Sequence, residues 1–344
     1  MSRWAAVLAG GTGTRFWPLS SATRPKQYLS LATDEPLLVD AVRRLDGLIP
    51  PEHILVITSA AYAETTRALL SNIPAANVLG EPQPASTAPA LAWATEVVRQ
   101  RDPDGAVLSL HADWWVGDDE LFRQTGAKAL EVARTYDALV TVGIVPSRPD
   151  IGFGYIEPGD VLEEGVQVVN RFTEKPNAVR AAQLVQQGAL WNSGLFAWTA
   201  RRFRLETEHH APEIAPHLPL LEAGDVVGYF NAITPIAIDF SHFERSERVV
   251  VVPGRFPWDD VGTWAALARV RGTDTARNVV AGAAFVHESV DSVVWADDGA
   301  IVLDGVNGLV VVRANGRVLV TTRERAVNLK RLLDALPDEL RQLE

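Results

Sequence analysis

A glycine-rich loop directly after a buried strand constrains this chain more than any other feature. The apolar run at residues 4–8 predicts a buried strand, and it leads into a loop with Gly10, Gly11 and Gly13. Glycine allows backbone conformations that other residues avoid, so successive N–H groups of such a loop can converge on an anion. Arg15 and Lys26 then add two positive charges. This combination predicts a binding site for a polyphosphate.

The loop differs from two well-known glycine motifs. A P-loop ends in Gly-Lys followed by Ser or Thr, whereas these glycines lead to Thr14 and Arg15. A dinucleotide-binding fingerprint has a third glycine where this chain has Phe16. On the glycines alone, a turn with surface cations is an equally good interpretation.

Composition and charge limit the functions open to the chain. Its 344 residues suffice for one large α/β domain and a smaller one. A formal net charge of −11 argues against a nucleic-acid partner. The sequence contains no cysteine, which excludes disulfides and a cysteine nucleophile and fits a reducing compartment. No apolar run reaches the ~18 residues of a membrane span. We therefore expect a cytoplasmic protein without a membrane partner.

Strands that alternate with helices predict an α/β fold. The pattern indicates a Rossmann-like, mostly parallel sheet flanked by helices, in which ligands bind at the carboxyl ends of the strands. Further strands are predicted at 53–58, 77–80, 106–110, 138–144 and 249–252, and helices at 36–48, 60–71, 88–101, 178–188 and 200–224.

The pattern changes after about residue 272. Apolar positions at helical spacing predict one amphipathic terminal helix over 324–342. Turns containing Asp-Asp-Gly and Asn-Gly separate short β-type runs at 278–286, 292–295, 300–303, 309–312 and 318–321. We expect a large domain at 1–272 and, at 273–344, a small β domain of a short β-helix-like type with that terminal helix. This region is also where we expect a homodimer to form.

Two acidic residues follow predicted strands. Asp113 comes shortly after the strand at 106–110, where a carboxylate is costly unless it is solvated, hydrogen-bonded or bound to a cation. Asp113 is therefore the first candidate metal ligand, with a helix cap as the structural alternative. Glu81 follows the strand at 77–80, and its carboxylate is suited to accept hydrogen bonds from N1–H and the N2 amino group of guanine. For the segment after Glu81 a purely structural interpretation is adequate, because Ser86 and Thr87 are good helix N-caps.

Several motifs, in order from residue 3 to about 270, resemble those of the nucleotide-sugar pyrophosphorylases. The opening motif is similar to that of mannose-1-phosphate guanylyltransferases in particular; it reads Gly10-Gly11-Thr12-Gly13-Thr14-Arg15-Phe16-Trp17-Pro18-Leu19-Ser20, followed by Pro25-Lys26-Gln27. Segments 110–114, 151–157, 172–176, 190–196, 238–245 and 256–264 resemble further motifs of the family. Two departures are Ala85-Ser86, where the family usually has Arg-Asn, and Arg245, where it has lysine.

The resemblance implies an in-line nucleotidyl transfer in which α-D-mannose 1-phosphate and GTP give GDP-mannose and diphosphate. It implies a Mg²⁺ ion held by Asp113 and Asp260, with Arg15 and Lys26 as further catalytic residues that neutralise the triphosphate and the leaving diphosphate. The expected nucleotide-binding residues are Leu8, Ala9, Gly10, Gly11, Gly13, Thr14, Glu81 and Thr87. The expected sugar-phosphate-binding residues are Gly154, Tyr155, Glu174, Lys175 and Asn192.

Other interpretations remain open for two of the motifs and for the function of the chain. Taken alone, Glu174 and Lys175 would form a solvated salt bridge, and Asp259 and Asp260 a capped loop. The nearest alternative function is a pyrophosphorylase for another sugar 1-phosphate and nucleotide. A catalytically silent regulatory subunit that senses nucleotide sugars would be expected to lack Arg15 or one of the other catalytic residues, and all of them are present.

Overall fold

The computed structural model describes residues 2–11 and 13–341, with Thr14 described by its backbone alone. Fifteen strands lie within these residues: β1 (Arg3–Leu8), β2 (Ile54–Ser59), β3 (Val78–Glu81), β4 (Ala106–His111), β5 (Trp115–Val116), β6 (Leu139–Ile144), β7 (Tyr155–Glu163), β8 (Val166–Thr173), β9 (Leu190–Thr199), β10 (Val249–Gly254), β11 (Trp258–Asp259), β12 (Val279–His287), β13 (Val293–Asp304), β14 (Leu309–Ala314) and β15 (Arg317–Thr322). Twelve α-helices lie within them as well: α1 (Leu37–Arg43), α2 (Ala63–Leu69), α3 (Thr87–Arg101), α4 (Asp119–Thr135), α5 (Ala178–Gln186), α6 (Ala200–His210), α7 (Leu218–Glu222), α8 (Val226–Ala232), α9 (Leu267–Val270), α10 (Arg323–Ala326), α11 (Lys330–Ala335) and α12 (Asp338–Arg341).

By compactness the chain divides into two units. The first unit contains Met1–Gly10, Val42–His111 and Asp118–Pro257; the second contains Gly11–Ala41, Ala112–Gly117 and Trp258–Glu344. The domain boundary expected after residue 272 stays a prediction.

A nine-stranded, mostly parallel sheet forms the first unit, in the order β3-β2-β1-β4-β9-β6-β10-β8-β7. Strand β1 runs parallel to β2 and β4, and β9 runs antiparallel between β4 and β6. Strand β7 forms a hairpin with β8 and also pairs with β9. The carboxyl ends of β1, β3 and β4 therefore lie at the same edge as the first residues of β9. This edge carries the candidate residues of the first unit.

Helices cover both faces of this sheet, as the alternating pattern predicts. Successive residues of a strand point to opposite faces. Val107 of β4 belongs to the buried cluster that includes Leu91 and Val98 of α3. The side chain of its neighbour Leu108 lies next to Gly126 of α4. The predicted α/β architecture is confirmed.

Four strands of the second unit form a sheet in the order β12-β13-β14-β15. The first three strands are parallel and the last is antiparallel. Val279, Val293 and Val310 are paired neighbours on these parallel strands, and all three side chains are fully buried. Short links connect the parallel strands without a helix, as expected for a β-helix-like domain.

Three local expectations were wrong. The runs at 292–295 and 300–303 belong to one strand, β13, whose residues 297–300 interrupt the pairing with β12 without ending the strand. The terminal helix is divided into α10, α11 and α12, and α12 begins directly after Pro337, which lacks the N–H needed to continue a helix. The helix expected over 200–224 ends at His210, before Pro212, for the same reason.

None of the helices in the described part of the chain combines the length and apolar character needed to cross a membrane.

Candidate functional site

Lys26 joins two of the predicted metal ligands in the second unit. Its Nζ donates to Asp113 Oδ2 at 2.9 Å and to the backbone carbonyl of Asp260 at 2.7 Å. Lys26 is only 6% exposed and begins a short turn after Pro25. The structure thus brings Lys26, Asp113 and Asp260 into contact, although 87 residues separate Lys26 from Asp113.

The exposed Arg15 belongs to the same group of charges. Its Nη1 would lie 3.2 Å from a Cβ atom added at Gly262, and Asp260 Oδ2 would lie 2.7 Å from that atom. Burial raises the pKa of Asp260, while the positive charges of Lys26 and Arg15 oppose this shift. All four predicted catalytic residues therefore lie in one electrostatic cluster of the second unit.

The glycine loop reaches Lys26 because Gly13 has no side chain. Gly13 has a φ of +58°, and an added Cβ would lie 2.5 Å from both Cβ and N of Lys26. Gly11 also has a positive φ, +101°. Only glycine fits both the backbone angle and the close approach at position 13. The side chain of Thr14 lies outside the described residues.

The two neighbouring aspartates of the 259–262 turn differ in their partners. Asp259, 5% exposed, accepts from Nε and Nη2 of Arg269 at 2.6 and 3.1 Å, and from the N–H of Val261 at 2.9 Å. Asp260 Oδ1 accepts from Gly262 N at 3.2 Å. Asp259 is thus held by a bidentate ion pair that fixes the turn, and Asp260 faces the Lys26 cluster.

Backbone strain marks the same turn. Val261 has a φ of +46°, a left-handed conformation that is unfavourable for a β-branched residue, and it is fully buried. It packs in the cluster that contains Phe16 and Trp264. Such strain persists where the surrounding packing enforces it, and it occurs often at functional sites.

The donor set of Asp113 and Asp260 fits magnesium. Mg²⁺ takes hard oxygen ligands and is commonly bound by one or two carboxylates, with phosphates and waters completing the octahedron. Among the described residues there is no group of three or more His, Cys, Asp or Glu side chains able to hold a metal by themselves. Two carboxylates that need substrate phosphates to complete the coordination match this chemistry.

Glu81, at the end of β3, is suited to bind a base. Its Oε2 would lie 4.0 Å from a Cβ atom added at Gly10, where the glycine loop begins. Its Oε1 is buried without a hydrogen-bond partner among the described residues. Burial raises the pKa of Glu81 to about 7. A buried acceptor beside the loop is therefore available to a ligand.

Other predicted nucleotide-binding residues have structural partners within the first unit. Leu8 ends β1, and both backbone polar groups of Ala9 are bonded, to Ile57 O at 2.8 Å and Thr58 Oγ1 at 3.1 Å. Thr87 Oγ1 accepts from Ile238 N at 2.9 Å. Ser86 occupies the N-cap position of α3 without a capping hydrogen bond, contrary to the expected capping role. The nucleotide contacts of Leu8, Ala9 and Thr87 stay predictions.

The predicted sugar-binding residues form a cluster in the first unit. Asn192, near the start of β9, donates from its backbone N–H to Gly154 O at 2.8 Å. A Cβ atom at Gly154 would collide with the Glu174 carboxylate. Lys175 Nζ pairs with Glu174 Oε1 at 2.7 Å, and Lys175 has a φ of +42°. Gly154, Glu174, Lys175 and Asn192 are thereby brought together.

Tyr155 supports the loop before β7 with its side chain. Its hydroxyl donates to Asp150 O at 2.9 Å and accepts from Asp150 N at 2.8 Å, and the residue is fully buried. The backbone of Tyr155 is paired with Thr173 of β8 and Trp191 of β9, so its predicted sugar contact stays a prediction.

Asp239 is not among the site residues expected from the sequence. This carboxylate accepts from Asn192 Nδ2 at 2.7 Å. Burial and the negative charge of Glu174 raise the pKa of Asp239, and the Asn192 hydrogen bond and His111 oppose this shift. The available signal was its position in segment 238–245, one of the segments that resemble family motifs.

Comparisons with known proteins show the family to which the chain belongs. A family model described as nucleotidyl transferase matches residues 4–277. The mannose-1-phosphate guanylyltransferase of Klebsiella pneumoniae is 33% identical, over 97% of this chain and 74% of its own length. A crystal structure described as mannose-1-phosphate geranyltransferase from Thermus thermophilus is 34% identical with a TM-score of 0.91, over 97% of this chain and 99% of that one. A putative glucose-1-phosphate thymidylyltransferase from Bacillus anthracis, 17% identical with a TM-score of 0.53 over 78% of this chain and 94% of that one, shares the fold. The chain belongs to the nucleotidyl transferase family, whose members generally use a divalent metal.

Proposed function

We propose that this chain is a mannose-1-phosphate guanylyltransferase that uses Mg²⁺. The observation that carries the proposal is the Lys26 ammonium held between Asp113 and Asp260 and packed against a loop whose Gly13 must be glycine. The relative from Klebsiella pneumoniae, which aligns over nearly the whole chain, bears that name.

The reaction forms one P–O bond and breaks another. An oxygen of the mannose 1-phosphate attacks the α-phosphorus of GTP in line, and the bond to the β-phosphate breaks, so that diphosphate leaves with the electron pair. The attacking phosphate is already ionised, so no general base is required. Arg15 and Lys26 stabilise the triphosphate and the leaving group, since fixed charges aimed at developing negative charge lower the barrier. Mg²⁺ held by Asp113 and Asp260 would supply further charge neutralisation at the reacting phosphates.

Substrate recognition is divided among the other candidate residues. The ionised Glu81 carboxylate accepts from N1–H and the N2 amino group of guanine, which adenine does not present in that arrangement. Lys175 binds the sugar phosphate, while Glu174 and Asn192 bind sugar hydroxyls. The backbone of the glycine loop binds the phosphates of GTP. The homodimer through residues 273–344, the absence of a nucleic-acid partner and the cytoplasmic location stay predictions.

The test is diphosphate release with Mg²⁺, using GTP, ATP, UTP, CTP and dTTP against mannose 1-phosphate and glucose 1-phosphate. We expect turnover with GTP and mannose 1-phosphate and its loss in Asp113→Asn. The control Asp297→Asn removes a carboxylate from a partly exposed ion pair with Arg24 and should keep full activity. Preference for another pair would overturn the substrate assignment. Binding of GDP-mannose without turnover of any pair would overturn the enzymatic proposal in favour of a regulatory protein.

A further inference from the structure

The side-chain amide of Asn192 is held in one orientation by three protein groups. Nδ2 donates to Asp239 Oδ1 at 2.7 Å, and Oδ1 accepts from Gly194 N at 3.1 Å and from Thr141 Oγ1 at 3.4 Å. A backbone N–H can only donate, so exchanging the amide nitrogen and oxygen would set two donors against each other at Gly194. The hydrogen-bonding chemistry of the neighbours therefore fixes which end of the amide is which.

This orientation limits what Asn192 can offer to a ligand. A side-chain amide has two N–H donors and two oxygen lone pairs. Gly194 and Thr141 use both lone pairs, and Asp239 uses one N–H. Within the described part of the chain, one N–H donor of the amide remains for a ligand. Asn192 can therefore act toward a ligand as a donor and not as an acceptor.

The groups around that donor are acceptors. Glu174 and Asp239 are close enough for the charge of Glu174 to raise the pKa of Asp239, and ionised carboxylates only accept. Gly154 borders the same place, because a Cβ there would meet Glu174 and lie 3.5 Å from Asn192 Cβ. A hydroxyl group suits such surroundings, since it accepts from the amide and donates to a carboxylate.

We infer that Asp239 is a positioning residue that keeps Asn192 as a hydrogen-bond donor to one sugar hydroxyl, which in turn donates to a carboxylate of this cluster. The inference rests on the proposed function and specifies how its sugar subsite selects a substrate. It predicts that the recognised hydroxyl acts as acceptor and donor at once.

Deoxy and deoxyfluoro analogues of mannose 1-phosphate test the inference on the unmodified protein. Replacing the recognised hydroxyl by hydrogen removes both hydrogen bonds, whereas fluorine removes the donor and keeps a weak acceptor. At one ring position we expect kcat/KM to fall by about 100-fold for the deoxy analogue and by distinctly less for the fluoro analogue, since a hydrogen bond to a charged group contributes roughly 10-fold or more. Equal losses for the two analogues at every position would overturn the donor role of Asn192.

Variants test the role of Asp239. Asp239→Ala should raise KM for mannose 1-phosphate by about 10-fold and leave KM for GTP unchanged, because it frees the Asn192 amide from a charged partner. Asp239→Asn keeps an oxygen acceptor and should restore most of the sugar affinity. In an Asn192→Ala background, Asp239→Ala should add little, because Asp239 acts through Asn192. Additive losses, or equal changes in both KM values, would contradict the positioning role.

A matched control separates positioning from loss of stability. Asp225→Ala removes the N-cap of α8, where the carboxylate accepts from Gly228 N at 2.8 Å, and should lower the melting temperature without changing KM for the sugar. Should Asp239→Ala fail to fold, Asp239→Asn supplies the comparison, because any loss of sugar affinity that it causes should disappear in the Asn192→Ala background. Preference of the wild type for another sugar 1-phosphate would overturn the substrate assignment, and the same series would then use that sugar. Absence of both turnover and sugar-phosphate binding would overturn both.

Discussion

Neighbouring aspartates in the 259–262 turn should respond oppositely to the same substitution. Asp259→Asn should destabilise the fold and preserve metal binding, because its carboxylate is committed to Arg269 and Val261. Asp260→Asn should abolish metal-dependent turnover without destabilising the fold. Burial raises the pKa of Asp260, so its ionised form is the costly one in the folded state near pH 7.

The magnitude follows from the geometry of the Arg269 pair. Removing one partner of a fully buried ion pair costs about 3–5 kcal/mol. The Arg269 side chain is 41% exposed, so water takes up part of its charge, and asparagine still offers an oxygen to the Val261 N–H. We therefore expect a loss of about 2 kcal/mol for Asp259→Asn, or about 4 °C in melting temperature for a chain of this length.

Thermal unfolding without metal and Mn²⁺ titration followed by electron paramagnetic resonance, with GTP present, measure the two effects separately. Mn²⁺ is a spectroscopic substitute for Mg²⁺ here. Loss of Mn²⁺ binding by Asp259→Asn at an unchanged melting temperature would contradict the structural role of Asp259. Normal Mn²⁺ binding by Asp260→Asn would contradict the metal-ligand role of Asp260.

Three further predictions concern Glu81, Gly13 and Lys26. Burial raises the pKa of Glu81 to about 7. The free energy of unfolding that Glu81 contributes is therefore present below about pH 4.5 and is lost as the pH rises through about 7. Glu81→Gln should remove this pH dependence of the unfolding free energy in denaturant titrations. The affinity of the wild type for GTP, measured by calorimetry, should increase over the same rise in pH, because only the ionised carboxylate accepts from both guanine donors. A pH-independent affinity would exclude Glu81 as the guanine contact. Gly13→Ala should lower stability by about 1–2 kcal/mol for its left-handed backbone and also reduce kcat by displacing Lys26. Gly47→Ala, at a φ of +81° with open space around it, should show only the stability loss, and equal kcat for the two variants would contradict the crowding argument. Lys26→Met should reduce kcat by about 100-fold or more in the diphosphate assay, while Arg24→Met, which removes a partly exposed ion pair, should not; similar kcat values would contradict the role of Lys26.

Much of the sheet could be predicted because its signals are local. The apolar run of β1 and the glycines after it depend on residues that are neighbours in sequence, and the structure has them as expected. The same holds for Glu81 at the end of β3. Where local signals conflict, prediction failed: Gly299 indicated a turn, yet it lies in β13, beside the side chain of Arg313.

Partners distant in sequence decided the rest. The residue pattern could not show that Asp259 and Asp260 have different roles, because their roles differ through the ion pair that Asp259 forms with Arg269. Asp239 and Asn192 lie 47 positions apart, so no local pattern could show that this carboxylate accepts a hydrogen bond from the amide. Residue pattern and residue types are enough to indicate the α/β class, the glycine loop and the side chains available for phosphate, metal and sugar. Which of these side chains share hydrogen bonds and charge depends on distances that folding alone establishes.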